Sequence, residues 1–292
     1  MAAALVINGS NAVTHQGSYG TSPIPGPGAT SVTATGHFLH NTVAGDLLIC
    51  AVNYFIYSNG SACVPTLGAP TTPGFTWILA GVITSDTETF TDPDATGGVS
   101  YETNATAVYY IANASVMAST VTTTQVTTFS IGVPSPQADG AFYGGFELTE
   151  WSGLGAEDNV VTAKGISATV DAGSIVLSDT TSANLLFVAG NIITPDQSDG
   201  TETSVGAGYT GLDNLANPYV PTVGQLGTQY KLNIASGTYA TAFSAAADGA
   251  LPPTPGFGAI VPWSAVAVTF GPASGGITPT PSGQQPQLFI SS

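Results

Sequence analysis

Arginine is absent and lysine occurs only at Lys164 and Lys231, against 18 acidic residues, for a net charge of −16. A nucleic-acid binder works through several Lys or Arg contacts that release counterions, so the composition excludes nucleic acid as a partner. The same shortage excludes electrostatic attraction to an anionic membrane. Charged residues make up 7% of the chain, where a soluble domain carries about 25%. Hydrophobic residues nevertheless make up 43%, so the chain is not the polar, highly charged kind that stays disordered. With almost no cations to pair, packing and backbone ladders must supply both stability and any self-association.

Other absences narrow the reading. No run reaches the ~18 apolar residues of a membrane-spanning helix. Met1–Asn8 has no basic residue and too short an apolar run for a secretory leader, so a route without Sec export is expected. Cys50 and Cys63 are the only cysteines, too few for a disulfide framework. A bridge between them requires a hairpin that brings their Cα atoms within disulfide reach. There is no Gly-x-Ser-x-Gly elbow and no phosphate-binding Gly-x-x-x-x-Gly-Lys loop. No stretch holds a helical period.

What is present is β-pattern. Asp46-Leu47-Leu48-Ile49-Cys50-Ala51-Val52-Asn53 is a continuous apolar run closed by polar residues, as expected of a strand buried on both faces. It returns as Asn184-Leu185-Leu186-Phe187-Val188-Ala189-Gly190-Asn191. Three further stretches repeat in order: Ser31–Ala34 with Thr169–Ala172, Tyr109–Ser115 with Tyr230–Ser236, and Phe142–Trp151 with Trp263–Phe270. A first strand and turn are expected over Leu5–His15, and strands at Phe75–Ile83 and Ser119–Ile131. Turns are expected at Thr71–Gly74 and across the acidic stretch Asp86–Gly98, with loops at Ser22–Gly28 and Pro134–Gly140. The fold expected is all-β, an antiparallel β-sandwich or jelly roll built from two pseudo-repeated halves, 1–156 and 157–271. Residues 272–292 are rich in Pro, Gly and Ser and read as an extended arm.

Candidate chemistry is sparse. Asp92 and Asp94, and Asp196 and Asp199, stand in oxygen-rich turns, the ligand type that suits calcium. They are the candidate metal residues, and calcium is the one cofactor considered. Neither loop has the EF-hand spacing, and Asp is an ordinary turn residue. His37 and His40 are three apart on a strand and point to opposite faces; His15 has no partner nearby. Glu147 and Glu150 likewise face opposite sides, which is wrong for a glycosidase pair on one strand. Trp77, Trp151 and Trp263, with Tyr54, Tyr57, Tyr109 and Tyr110, could form a sugar-stacking platform or serve as core. Asn8, Asn59, Asn104 and Asn113 stand in Asn-x-Ser/Thr patterns that matter only on an exported protein. No catalytic residue is expected, and the protein is read as non-enzymatic.

Thr71-Thr72-Pro73-Gly74-Phe75-Thr76-Trp77 and Tyr109-Tyr110-Ile111-Ala112, in a chain poor in Lys and Arg and rich in Thr, Gly and Ala, resemble the Thr-rich β-sandwich virion proteins of tailed phages, of the head-decoration and minor-tail type. The Leu-Leu strand followed by Glu150-Trp151-Ser152-Gly153 also resembles β-sandwich modules of bacterial surface proteins. The first resemblance implies a virion structural subunit whose partners are copies of itself and other virion proteins. The second implies an extracellular adhesin or filament subunit at the cell surface. A carbohydrate-binding module, with a host-surface glycan as partner, is the third alternative.

Overall fold

A computed structural model describes residues 3–5, 31–36, 38, 41–59, 63–86, 88–91, 99–117, 121–129, 141–167, 169–192, 202–215, 225–246 and 262–273. Every regular element among them is a strand, and every pairing is antiparallel. The first nine are β1 (Ala4–Leu5), β2 (Ser31–Gly36), β3 (Leu47–Asn59), β4 (Cys63–Leu67), β5 (Ile78–Thr84), β6 (Glu88–Thr91), β7 (Val99–Ile111), β8 (Val121–Phe129) and β9 (Ala141–Ser152). After a turn at Gly153, whose φ is +76°, come β10 (Leu154–Ile166), β11 (Thr169–Val170), β12 (Ser174–Leu177), β13 (Asn184–Ile192) and β14 (Glu202–Ser204). The chain continues through β15 (Thr210–Leu215), β16 (Gln225–Ile234), β17 (Gly237–Ala240), β18 (Phe243–Ala246) and β19 (Pro262–Pro272). The all-β expectation is met.

One strand order is used twice. In the first half, β1-β9-β3-β7-β5 form one sheet, with β6 beside β7, and β2-β8-β4 form a second. In the second half, β10-β19-β13-β16-β15 form one sheet and β11-β18-β14 another. Setting aside β6 and the mutually paired β12 and β17, each half places its first, eighth, third, sixth and fifth strands in the larger sheet. Its second, seventh and fourth strands make the smaller one.

The two apolar echoes, β3 and β13, lie at the middle of their sheets, which explains their burial on both faces. Leu47, Ile49 and Ala51 of β3 and Leu185, Phe187 and Ala189 of β13 share a single cluster with Val266, Val268 and Phe270 of β19. That cluster is the seam between the two larger sheets. The alternate residues of each strand point the other way. Leu48, Cys50 and Val52 pack with Trp77, Phe146 and Leu148, and Leu67 of β4 packs against them. Leu186 and Val188 pack with Val170, Ile175 and Trp263. Full burial of one such aliphatic or aromatic side chain stabilises by roughly 1.5–3 kcal/mol. Where β5 crosses the second half only glycine fits: a Cβ at Gly81 would stand 2.9 Å from Val160 Cγ2 and 3.0 Å from Val266 Cγ1.

The register corrects one expected equivalence. Tyr110 is the cross-strand partner of Ile49, and Tyr230 is that of Phe187. Since Ile49 and Phe187 occupy the same place in the two echoes, the counterpart of Tyr230 is Tyr110, not Tyr109. A slip of one residue turns a side chain to the other face of the sheet, and Tyr109 indeed sits in the outer cluster. The corrected register aligns Asn113 with Asn233, the only non-glycine residues with positive φ among those described, at +52° and +56°. Asn tolerates this left-handed conformation better than most residues. In both halves it produces the same irregularity: Ala114 N–H donates to Asp46 O at 2.9 Å, and Ile234 pairs with Asn184.

Other expectations shift at their ends. β5 begins after Trp77 instead of at Phe75. The acidic stretch expected to be turns contains β6 at Glu88–Thr91. Thr71–Gly74 is a turn as expected, with a Thr72–Phe75 bridge and Gly74 at φ +80°. The first residue of the expected extended arm, Pro272, belongs to β19; residues 274–292 lie outside those described, as do Ser22–Gly28, Pro134–Gly140 and most of Leu5–His15.

Candidate functional site

Asp92, Asp94, Asp196 and Asp199 all lie outside the described residues, as do His15, His37 and His40. Among the described residues no group of three or more His, Cys, Asp or Glu could hold a metal ion. Cys50 is a buried free thiol, so the bridge to Cys63 is not made. Burial, with a smaller push from Glu147, holds the Cys50 thiol well above its ordinary range.

The aromatic residues do not make a platform. Trp77, Trp151 and Trp263 fall in three separate clusters and are at most 7% exposed. Each indole N–H donates to a hydroxyl: Trp77 to Thr72 Oγ1 at 3.1 Å, Trp151 to Thr149 Oγ1 at 2.8 Å and Trp263 to Ser167 Oγ at 3.0 Å. A hydroxyl beside the ring lets the apolar body be buried without stranding the donor. Tyr54, Tyr109 and Tyr110 are buried too, and the side chain of Tyr57 is outside the described set. Of the Asn-x-Ser/Thr sites, Asn104 is fully buried and donates to Pro262 O, which removes it as an accessible acceptor; Asn113 is exposed.

The polar groups that do converge lie at one end of the seam between the two larger sheets. Asn53 and Asn191 close the two apolar echoes, and both are buried. Asn191 Nδ2 crosses to Tyr54 O at 3.2 Å and Ala105 O at 3.4 Å. Asn104 Nδ2 crosses the opposite way to Pro262 O at 3.0 Å. Thr106 Oγ1 and Ser264 Oγ are 2.7 Å apart, and Thr228 Oγ1 donates to the buried Glu147 carboxylate. These contacts bind one half to the other with directional groups where the rest of the seam is apolar. The other end is closed by two edge-to-face ring pairs. Tyr110 meets Phe270 at 5.3 Å and 71°, and Tyr230 meets Trp151 at 4.9 Å and 72°. Register makes Tyr110 the counterpart of Tyr230 and Trp151 the counterpart of Phe270, so the pairs are exchanged copies of one contact. This is the reciprocity of an isologous interface, here within one chain.

Glu150 faces away from the seam, as the alternation predicts. It is 3% exposed, accepts a hydrogen bond from Val43 N–H, and stands near Asp46, itself 6% exposed. Burial first, then the charge of Glu150, pushes the Asp46 carboxyl up to about 6. The sequence marked Glu150 only as unsuited to glycosidase work. Its pairing with Asp46 could have been read from the β3–β9 register alone, because Leu48 is the partner of Glu150 and Asp46 sits two residues before it on the same face.

The two lysines are both engaged. Lys164 bridges the halves to Asp86. Lys231 donates to Ala207 O at 3.1 Å and lies 4.4 Å from the centre of the Tyr209 ring. The described geometry is thus that of a doubled scaffold with one acidic pair at its tip. Compared with known protein families, curated proteins and solved structures, the chain matches none.

Proposed function

We propose that this protein is a non-enzymatic structural subunit of a virus particle, a capsid-decoration or tail-associated protein of a phage, built as two jelly rolls packed through their larger sheets. The observation that carries the reading is the strand order. A two-sheet antiparallel unit used twice, with the first, eighth, third, sixth and fifth strands in one sheet and the second, seventh and fourth in the other, supports a jelly-roll reading, an architecture used repeatedly in viral capsids. Lectins and other proteins use the same architecture, so the composition is the second support. A subunit that assembles by apolar and ladder contacts has little use for cations, and this chain has two. The edge strand β5 supplies such a surface: Ile78, Leu79 and Val82 are 47%, 47% and 44% exposed, on a strand that among the described residues is paired on one side only. Its partners in this reading are copies of itself and other virion proteins.

Protein inventory of purified virions by quantitative mass spectrometry is the test. The expected result is this chain at a fixed copy number relative to the major shell protein. Its absence from intact particles would sink the proposal and move the weight to an extracellular filament subunit or glycan-binding module.

A further inference from the structure

The seam joins two halves of one pattern, so each half carries a face that the like half of a second chain could cover in the same way. Most of the seam does not tell these pairings apart. Leu47, Ile49 and Ala51 on one side and Leu185, Phe187 and Ala189 on the other are equally apolar. The edge-to-face contacts are exchanged copies. First half on first half would set Tyr110 against Trp151, and second on second would set Tyr230 against Phe270, in each case ring on ring. Asn191 donates to the backbone carbonyls of Tyr54 and Ala105, which any sequence offers, and its counterpart Asn53 is also asparagine.

Two side-chain contacts among the described residues do tell the pairings apart. Thr228 of β16 donates to Glu147 of β9, and Thr106 Oγ1 of β7 lies 2.7 Å from Ser264 Oγ of β19. Register gives the counterparts. Ala51 pairs with Glu147 and Val108, where Ala189 pairs with Val266 and Thr228. Asn53 pairs with Gly145 and Thr106, where Asn191 pairs with Ser264 and Leu226. First half on first half would therefore set Glu147 against Val108 and Thr106 against Gly145. Second on second would set Thr228 against Val266 and Ser264 against Leu226. None of these four replacements has a polar side-chain atom. The largest loss falls on Glu147, which is 1% exposed, because a buried carboxylate deprived of a donor costs far more than a buried hydroxyl.

We propose that the Glu147–Thr228 contact, seconded by Thr106–Ser264, selects the partner of each larger sheet: it admits the unlike half and rejects the like half of a second chain. Specificity of this kind comes from what the wrong pairing leaves unmet as much as from attraction in the right one. The direct connection from β9 through Gly153 to β10 keeps the unlike half at hand, and the polar contacts make a neighbour's like half a poor substitute.

Co-refolding of the full chain tests it. Chains labelled with light and heavy nitrogen are mixed either before unfolding and refolding or after refolding separately, and native mass spectrometry counts light–heavy dimers. The excess from mixing before refolding counts contacts made only during folding and leaves out surface association. Exchange of unlike halves between chains keeps every seam contact of the monomer, so it sets the wild-type level and does not move with these substitutions. Glu147→Val with Thr228→Val, which repeats the Val266 and Val108 pairing of the other half, is expected to raise the excess at least about tenfold by removing the mismatch at Glu147. Glu147→Gln, which keeps the shape and the contact with Thr228 without the charge, is expected to give a smaller rise. Where the double variant folds it decides, and an excess equal to that of the wild type overturns the proposal. Where it does not fold, Glu147→Gln decides by the same criterion.

Discussion

The two halves of the chain share strand order, register and the left-handed asparagine at one bulge, and differ in almost every polar detail. Among the described residues the first half has an acidic tip, and the second has a neutral tip and the added β12–β17 pair. What is kept is what topology requires: the doubly buried central strand, the ring pairs that close one end of the seam, and the residue that accepts positive φ. What differs includes buried polar positions: Asp46 and Glu150 against Asn184 and Thr269, and Glu147 against Val266.

The largest expected effect comes from the exchanged ring contacts. Trp151→Ala and Phe270→Ala each empty a fully buried site and should cost about 3–5 kcal/mol. Because both rings serve the same seam, the two variants are expected to lower the denaturation midpoint by similar amounts in a single circular-dichroism transition. Two transitions, only one of them moved, would mean that the halves are stabilised independently.

The asparagines should separate the halves by a smaller amount. Ala at Asn113 or Asn233 must hold a left-handed backbone, costing roughly 1–2 kcal/mol. Asn233 also makes two hydrogen bonds with the backbone of Ala3, both at 3.0 Å, so Asn233→Ala should cost about 1 kcal/mol more than Asn113→Ala. All three variants are compared by urea titration, in which Asn113→Gly should be close to neutral. Equal losses at the two sites would show that the tie to Ala3 adds nothing.

The smallest effect belongs to the charge contact between the halves. Lys164 and Asp86 are 41% and 61% exposed, and water screens such a pair to less than about 1 kcal/mol. Lys164→Met should leave the midpoint almost unchanged at high salt, with whatever difference exists confined to low ionic strength.

Several elements were legible before any coordinates. β3 and β13 announced themselves because a strand covered on both faces needs an unbroken apolar run. β10 did not. Its exposure alternates along Glu157–Ile166, but Gly155, Asn159 and Gly165 break the apolar alternation that would have marked it. The Tyr109–Tyr230 match failed by one position because adjacent tyrosines are indistinguishable until the facing strand gives them sides. The tryptophans were equally readable as platform or core, and the nearby Thr and Ser hydroxyls that favour the core are neighbours in space more than in sequence: Trp263 bonds Ser167, 96 residues away. Asp46 and Glu150 are 104 positions apart, and only the pairing of β3 with β9 joins them.

By itself the sequence determined the class of the protein: all-β, poor in cations, with one strand written twice. Those properties are local, because burial on two faces and turn chemistry leave their mark within a few residues. Tertiary structure alone decided which faces meet, that the two halves pack through an exchanged pair of ring contacts, and that two carboxyl groups share one buried corner. Those are matters of register between distant strands, which depend on contacts that no short stretch of sequence contains.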